Sequence, residues 1–247
     1  MALIDSFEKS GNFLFRYRGH LPLILIILSI PVAFLTPYNQ LHKIEYFQFS
    51  IFVGAFIFIA LGHFIRILTV GRRFMQSSGR NRSHQVANNL NTKGIYSIVR
   101  HPLYLGNGFI WLGLTCFLEN VWFSIIFILV FWIYYERIMF AEEQFLSRKF
   151  GDDYFKWANQ VPAFIPDFKN YQSSANLFSW RIVLKNEYPG WISTATTLLF
   201  IFVLKSSVVE SKFHFTQTDF IFAGIILVFG ITFKFIKKYT TFFNSMD

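Results

Sequence analysis

With a single cysteine, Cys116, among 247 residues, the chain cannot form an intramolecular disulfide. That residue lies in an apolar run and reads as a small buried hydrophobe. Charge is also scarce. Asp, Glu, Lys and Arg make up 15% of the sequence, whereas a soluble domain of this size carries about 25%. The six histidines (His20, His42, His63, His84, His101 and His214) show no ligand spacing, so no metal site is expected. Residues 1–20 lack the small-residue cleavage site of a signal peptide. From Gly71 to Pro102 there is no acidic residue at all, although Arg72, Arg73, Arg80, Arg82, Lys93 and Arg100 lie there.

Long apolar runs take the place of the missing charge: 53% of residues are hydrophobic, and the 34 phenylalanines read as lipid-facing side chains rather than an aromatic ligand cage. The formal net charge of +9 comes from basic residues that flank apolar spans. It therefore reads as positive-inside loops, with no nucleic-acid partner expected. The fold class is an all-α polytopic membrane protein with about six transmembrane helices. Spans are expected near Leu21–Leu35, Phe47–Val70, Leu103–Leu118, Val121–Met139, Tyr188–Leu204 and Phe220–Phe235. The first is short and carries Pro31, and it and the fifth are the weakest. Ahead of them, residues 1–20 mix Phe7, Phe13, Leu14 and Phe15 with Lys9, Arg16 and Arg18, the pattern of an interfacial amphipathic helix. The basic loop and the terminal Lys234, Lys237 and Lys238 place both termini on the cytoplasmic side.

Chemistry concentrates between Thr92 and Pro166. A polar approach, Gly94 to Pro102, leads into a two-helix hairpin that leaves one membrane face and returns to it. The second helix carries Glu136, Arg137, Glu142 and Glu143 as it emerges. Arg100 and His101 therefore meet Arg137, Glu142 and Glu143 at one surface. Converging charged and aromatic groups at a hydrocarbon boundary make a site hypothesis. Tyr134 and Tyr135 read as an interfacial aromatic belt. His63 and Arg66, three residues apart on one helix face, read as a helix-end anchor, with reach into the site as the alternative.

The pattern Gly94-x-Tyr96, then Arg100-His101-Pro102-x-Tyr104-x-Gly106, resembles the signature of the isoprenylcysteine carboxyl methyltransferase and phospholipid methyltransferase superfamily. Arg137, Glu142-Glu143, Leu146, Phe150-Gly151, Tyr154 and Val161-Pro162 continue it in order. The resemblance divides the chain into an interfacial segment (1–20), two N-terminal spans with a basic loop (21–91), a core (92–166) and a C-terminal pair of spans (167–247). It implies a cytoplasmic-face site for S-adenosylmethionine. Tyr96, His101, Pro102, Leu103, Tyr104 and Gly106 would cradle the cofactor, with Asn89 and Leu90 adding backbone contacts and Glu142 holding a polar group. Arg137 would face the acceptor, with Glu143 beside it. The chemistry agrees: aromatic faces stabilise a sulfonium, and a glycine allows close approach.

An anionic acceptor oxygen needs a cation rather than a base, and arginine suits it through its bidentate fork. Arg137 and Arg100 are the expected catalytic cations. The expected acceptor is a membrane lipid. The amphipathic N-terminus and C-terminal spans are similar to a bacterial branch associated with O-methylation of the 1-phosphate of lipid A, which implies a bacterial inner membrane. Prenylcysteine carboxyl methylation and phospholipid N-methylation are the alternatives. A membrane reductase using NADPH, built on a similar hairpin, is the rival from another class.

Overall fold

A computed structural model describes residues 2–38, 45–72, 85 and 87–243. Arg73, Arg80 and Arg82 of the basic loop lie outside the described residues, as do His42 and His84. Among the described residues the chain folds as α-helices joined by turns, with no strand: α1 (Leu3–Tyr17), α2 (Leu21–Leu35), α3 (Glu45–Gly71), α4 (Pro102–Cys116), α5 (Val121–Phe150), α6 (Asp152–Ala158), α7 (Trp180–Val209) and α8 (Gln217–Tyr239). The protein is an all-α polytopic membrane protein.

Four helices are long and apolar enough to cross a bilayer, over Gln48–Gly71, Val121–Phe150, Trp180–Val209 and Gln217–Tyr239. Two expected spans are shorter: α2 and α4 have 15 residues each. At 1.5 Å per residue they rise about 22 Å, against about 30 Å of hydrocarbon. Conversely, the fifth expected span is only the middle of α7, which begins at Trp180 on a Ser179 cap. Its polar Asn186 and Glu187, together with Pro189, cut the hydropathy signal short. The helix absorbs them because Asn186 and Glu187 are buried against protein rather than exposed to lipid.

The sequence sets the helix ends. Pro102 opens α4 at a position where its missing N–H costs no hydrogen bond. Asn120 caps α5, its Oδ1 accepting from the Phe123 N–H at 3.0 Å. Gly151, at φ 51°, stops α5 and starts α6. Thr216 and Asp219 form a reciprocal capping box on α8.

α1 is amphipathic, and its two faces meet different surroundings. Gly11 lies directly on the Arg137 carbonyl of α5. Leu3, Ile4, Phe13 and Tyr17 point outward and are exposed, as suits a helix lying in an interface. α3 and α4 also approach closely, backbone to backbone. A Cβ on Gly106 would come within 2.9 Å of the Gly62 carbonyl oxygen and 2.7 Å of Arg66 Cγ. Far from the polar segments, Ala33, Ala55, Ile59, Leu114, Phe117, Leu198 and Ile201 form the core. α8 buries none of its residues and packs on α7, with Tyr188 and Phe233 stacked at 5.4 Å.

Candidate active site

The 92–101 segment is held in place by backbone pairing with residues 160–172. Arg100 N–H donates to the Pro162 carbonyl at 2.9 Å, His101 N–H to the Ala163 carbonyl at 3.1 Å, and Asp167 N–H to the Ile98 carbonyl at 2.9 Å. At its start, Gly94 takes φ 65° and donates to the Gln172 carbonyl at 2.8 Å. This pairing explains why Val161-Pro162 closes a pattern that Gly94 opens.

Above it lies a cavity of about 460 Å³, within the ~300–1,000 Å³ usual for small-molecule sites. Asn89, Leu90, Tyr96, His101, Pro102, Leu103, Tyr104 and Glu142 all line it, so eight residues expected at a cofactor site come together. The Tyr104 hydroxyl donates to Glu142 Oε2 at 2.9 Å, across 38 residues of sequence. The His101 ring stacks on Tyr104, centroids 5.7 Å apart. Trp157 joins the lining and donates its indole N–H to the Tyr96 carbonyl at 2.9 Å.

Behind the cavity wall, Glu143 gathers its neighbours. Arg100 Nε donates to Glu143 Oε1 at 3.0 Å and Nη2 to Oε2 at 3.3 Å. His101 Nε2 sits 2.9 Å from Glu143 Oε1; a carboxylate only accepts, so this nitrogen carries the proton. Tyr154 also hydrogen-bonds Glu143, and burial, then the adjacent carboxylate, pushes its phenol up. Arg100 Nη1 donates to the carbonyls of Ala158, at 2.6 Å, and Val161, at 3.0 Å, capping the end of α6.

Several expected roles change with this geometry. Arg100 touches the cavity, but its guanidinium is committed to Glu143 and the end of α6, which makes it a clamp rather than an acceptor cation. Glu143 does not line the cavity; it anchors Arg100 and His101. Gly106 does not reach the cavity either, since it is the contact point for α3. Arg137 departs furthest. Its guanidinium carbon sits 3.2 Å from the Phe7 ring centroid of α1, outside the cavity, and among the described residues its buried Nη1 has no hydrogen-bond partner. The reason is helical phase: at about 100° per residue, a five-residue step from Arg137 to Glu142 turns about 140° away.

The same helical phase brings other residues of α5 onto the cavity face. Tyr135, Glu142 and Leu146 stand seven and four residues apart, on one face of α5, and all line the cavity. Tyr135 is buried and belongs to the site, not to an exposed aromatic belt. Arg66 and Asn107 line the cavity from α3 and α4, and Arg16 and Arg18 from the end of α1.

Arg137 therefore helps to dock α1, beside the Glu8–Arg148 ion pair, where the guanidinium holds the Glu8 carboxyl below its ordinary range. Arg137→Ala is expected to loosen α1 by about 1–2 kcal/mol, the scale of a desolvated cation–π contact. Limited proteolysis should then cut the N-terminal segment faster. Unchanged cleavage would remove this docking role.

The phospholipid methyltransferase family matches residues 44–153. Similar proteins include a protein-S-isoprenylcysteine O-methyltransferase of Schizosaccharomyces pombe, 37% identical over 127 residues, 49% of this chain and 52% of that protein. Protein-S-isoprenylcysteine O-methyltransferase B of Arabidopsis thaliana is 37% identical over 114 residues, 44% of this chain and 55% of that protein. This stretch is similar to the isoprenylcysteine carboxyl methyltransferase superfamily. The superfamily segment also matches a cobalt-zinc-cadmium resistance protein of Cupriavidus metallidurans, 32% identical over 120 residues, 48% of this chain and 51% of that protein. The chain spans about half the length of these relatives. No solved structure matches it significantly. α7 and α8 lie beyond the segment that the family covers.

Proposed function

We propose that the protein is a membrane methyltransferase that transfers the methyl group of S-adenosylmethionine to an anionic oxygen of a lipid or lipid-tailed acceptor. One observation carries this reading: Tyr96, the His101–Tyr104 run and Glu142, separated in sequence, line a single cavity within the superfamily segment. The donor set fits the cofactor. Tyr96, Tyr104 and Trp157 offer aromatic faces to a sulfonium, Glu142 keeps Oε1 available for an ammonium, and Asn89 and Asn91 bring amides. S-adenosylmethionine supplies an electrophilic methyl group on a cationic sulfur. The chain's part is positioning. The paired 94–101 and 160–172 segments fix one wall and α5 the other, and a rigid cavity turns the encounter into an oriented approach.

The cavity's cations favour an anionic acceptor: Arg16, Arg18 and Arg66 line it, with Glu142 as the lining acid. The prenylcysteine carboxylate, the substrate class in the relatives' names, is the first acceptor to assay. The 1-phosphate of lipid A has the same charge chemistry and is the second. The exposed apolar face of α1 supports entry of a lipid-tailed acceptor from the bilayer. The positive-inside rule supports a cytoplasmic-facing cavity, since α8 ends in Lys237 and Lys238.

Calorimetry on purified protein in detergent should register S-adenosylmethionine binding and no NADPH binding. The opposite result would replace the methyltransferase with a reductase. Mass spectrometry of membranes with and without the protein should then show one acceptor species heavier by one CH₂.

A further inference from the structure

Arg66 and Glu187 form an ion pair between α3 and α7, 121 residues apart in sequence. Glu187 Oε2 accepts from Arg66 Nε at 2.7 Å, and Oε1 from Nη2 at 2.9 Å. Arg66 Nη1 donates to Asn107 Oδ1 at 2.6 Å, and Asn107 Nδ2 donates to the Tyr135 hydroxyl at 3.3 Å. The two partners are not equally buried: the Glu187 side chain is 2% exposed and that of Arg66 19%. Arg66, Asn107 and Tyr135 line the cavity, and Glu187 does not. The guanidinium thus reaches the cavity while the carboxylate holds it from behind.

Stability does not call for such a pair. Two well-packed apolar side chains in place of a buried ion pair are often neutral or stabilising, whereas removing one partner alone is costly. Intramembrane ions mark function by default. The other candidate cations are placed differently. Arg100 is spent on Glu143 and the end of α6, Arg137 lies outside the cavity, Arg18 sits over the Phe15 ring, and Arg16, though it lines the cavity, is exposed. Arg66 is held on two sides, and one N–H on each of Nη1 and Nη2 stays outside the bonds to Glu187 and Asn107.

We propose that Arg66 holds the anionic oxygen of the methyl acceptor. In the same proposal Glu187, reaching in from beyond the superfamily segment, is the positioning residue that aims it. This rests on the methyltransferase reading given above. The recognised chemistry is a carboxylate or a phosphate monoester on a lipid tail, and α7, through Glu187, supports the acceptor site.

The test uses the full-length protein in detergent and two probes, an S-farnesylcysteine carboxylate and a long-chain alkyl phosphate. Calorimetry measures the affinity for each probe and, separately, for S-adenosylmethionine. The double variant Arg66→Met/Glu187→Met removes the pair without stranding a charge, so it should fold and keep its cofactor affinity. Its affinity for at least one probe should fall about tenfold or more, the scale of a charge-assisted hydrogen bond. Glu187→Gln should weaken the same probe with cofactor affinity unchanged, a split that a purely structural role would not give. The probe that weakens identifies the acceptor as carboxylate or phosphate. Equal affinities in wild type and double variant, or a wild type that binds neither probe, would overturn the proposal. A wild type that binds a probe through Arg66 but not S-adenosylmethionine would instead sink the methyltransferase reading and leave the anion site standing.

Discussion

Glu143→Ala is expected to lower the melting temperature by several degrees and to weaken S-adenosylmethionine binding with it. Three side chains depend on this carboxylate: Arg100 through two N–H donors, His101 through Nε2, and Tyr154 through its hydroxyl. Removing one member of a buried ion pair costs about 3–5 kcal/mol because its partner is left uncompensated. Glu143 is 23% exposed and Arg100 17%, so water recovers part of that. About 2 kcal/mol remains, a shift of roughly 4–8 °C for a chain of this length. The loss spreads along a defined route. Without Glu143 the Arg100 guanidinium keeps only its Nη1 bonds to the Ala158 and Val161 carbonyls, and the backbone pairing of Arg100 and His101 with Pro162 and Ala163 loses one of its supports. Tyr96 and Trp157, joined through the indole N–H, stand on that anchored segment. Differential scanning fluorimetry with and without cofactor checks both effects. A wild-type melting curve would mean that Arg100 and His101 are held by something other than Glu143.

Legibility in the sequence follows the range over which each feature is encoded. The Arg100–Gly106 run is contiguous, so one glance finds His101, Pro102, Leu103 and Tyr104, and the hairpin brings Glu142 to them. Gly94 and Val161-Pro162 belong to the same order because the segments that carry them pair backbone to backbone, Gly94 with Gln172 and Pro162 with Arg100. Arg66 and Glu187 could not be found that way. Each lies toward one end of a mostly apolar helix, where a charge reads as a membrane anchor, and only the packing of α3 on α7 makes them a pair. Glu187 even shortened the expected fifth span, because hydropathy counts a buried, paired carboxylate as a solvated one. Arg137 is a different case, since helical phase alone separates it from Glu142 while keeping Tyr135 and Leu146 on the cavity face. Charged neighbours in sequence are not neighbours in space when they stand five residues apart on a helix.

The adjacent carboxylate should give the opposite signature. Glu142→Ala is expected to weaken S-adenosylmethionine about tenfold to a hundredfold while shifting the melting temperature of the ligand-free protein less than Glu143→Ala does. Glu142 faces the cavity, is 18% exposed, and accepts a hydrogen bond from the Tyr104 hydroxyl on Oε2. In the ligand-free variant, water in the cavity can satisfy that hydroxyl, so the fold loses little. The ligand loses more. A charge-assisted hydrogen bond is worth about 1.5–3 kcal/mol, and each 1.4 kcal/mol is about a tenfold change in affinity. Glu142→Gln separates charge from shape: it can still accept from Tyr104, so any weakening that remains reports the lost negative charge beside a cationic ligand. The neutral product, S-adenosylhomocysteine, lacks the sulfonium but keeps its ammonium. If Glu142 serves the ammonium, both ligands weaken alike; if it serves the sulfonium, only the methyl donor does. Calorimetry on the three proteins with the two ligands decides between them, and wild-type affinity for both ligands in Glu142→Ala would remove Glu142 from the cofactor site.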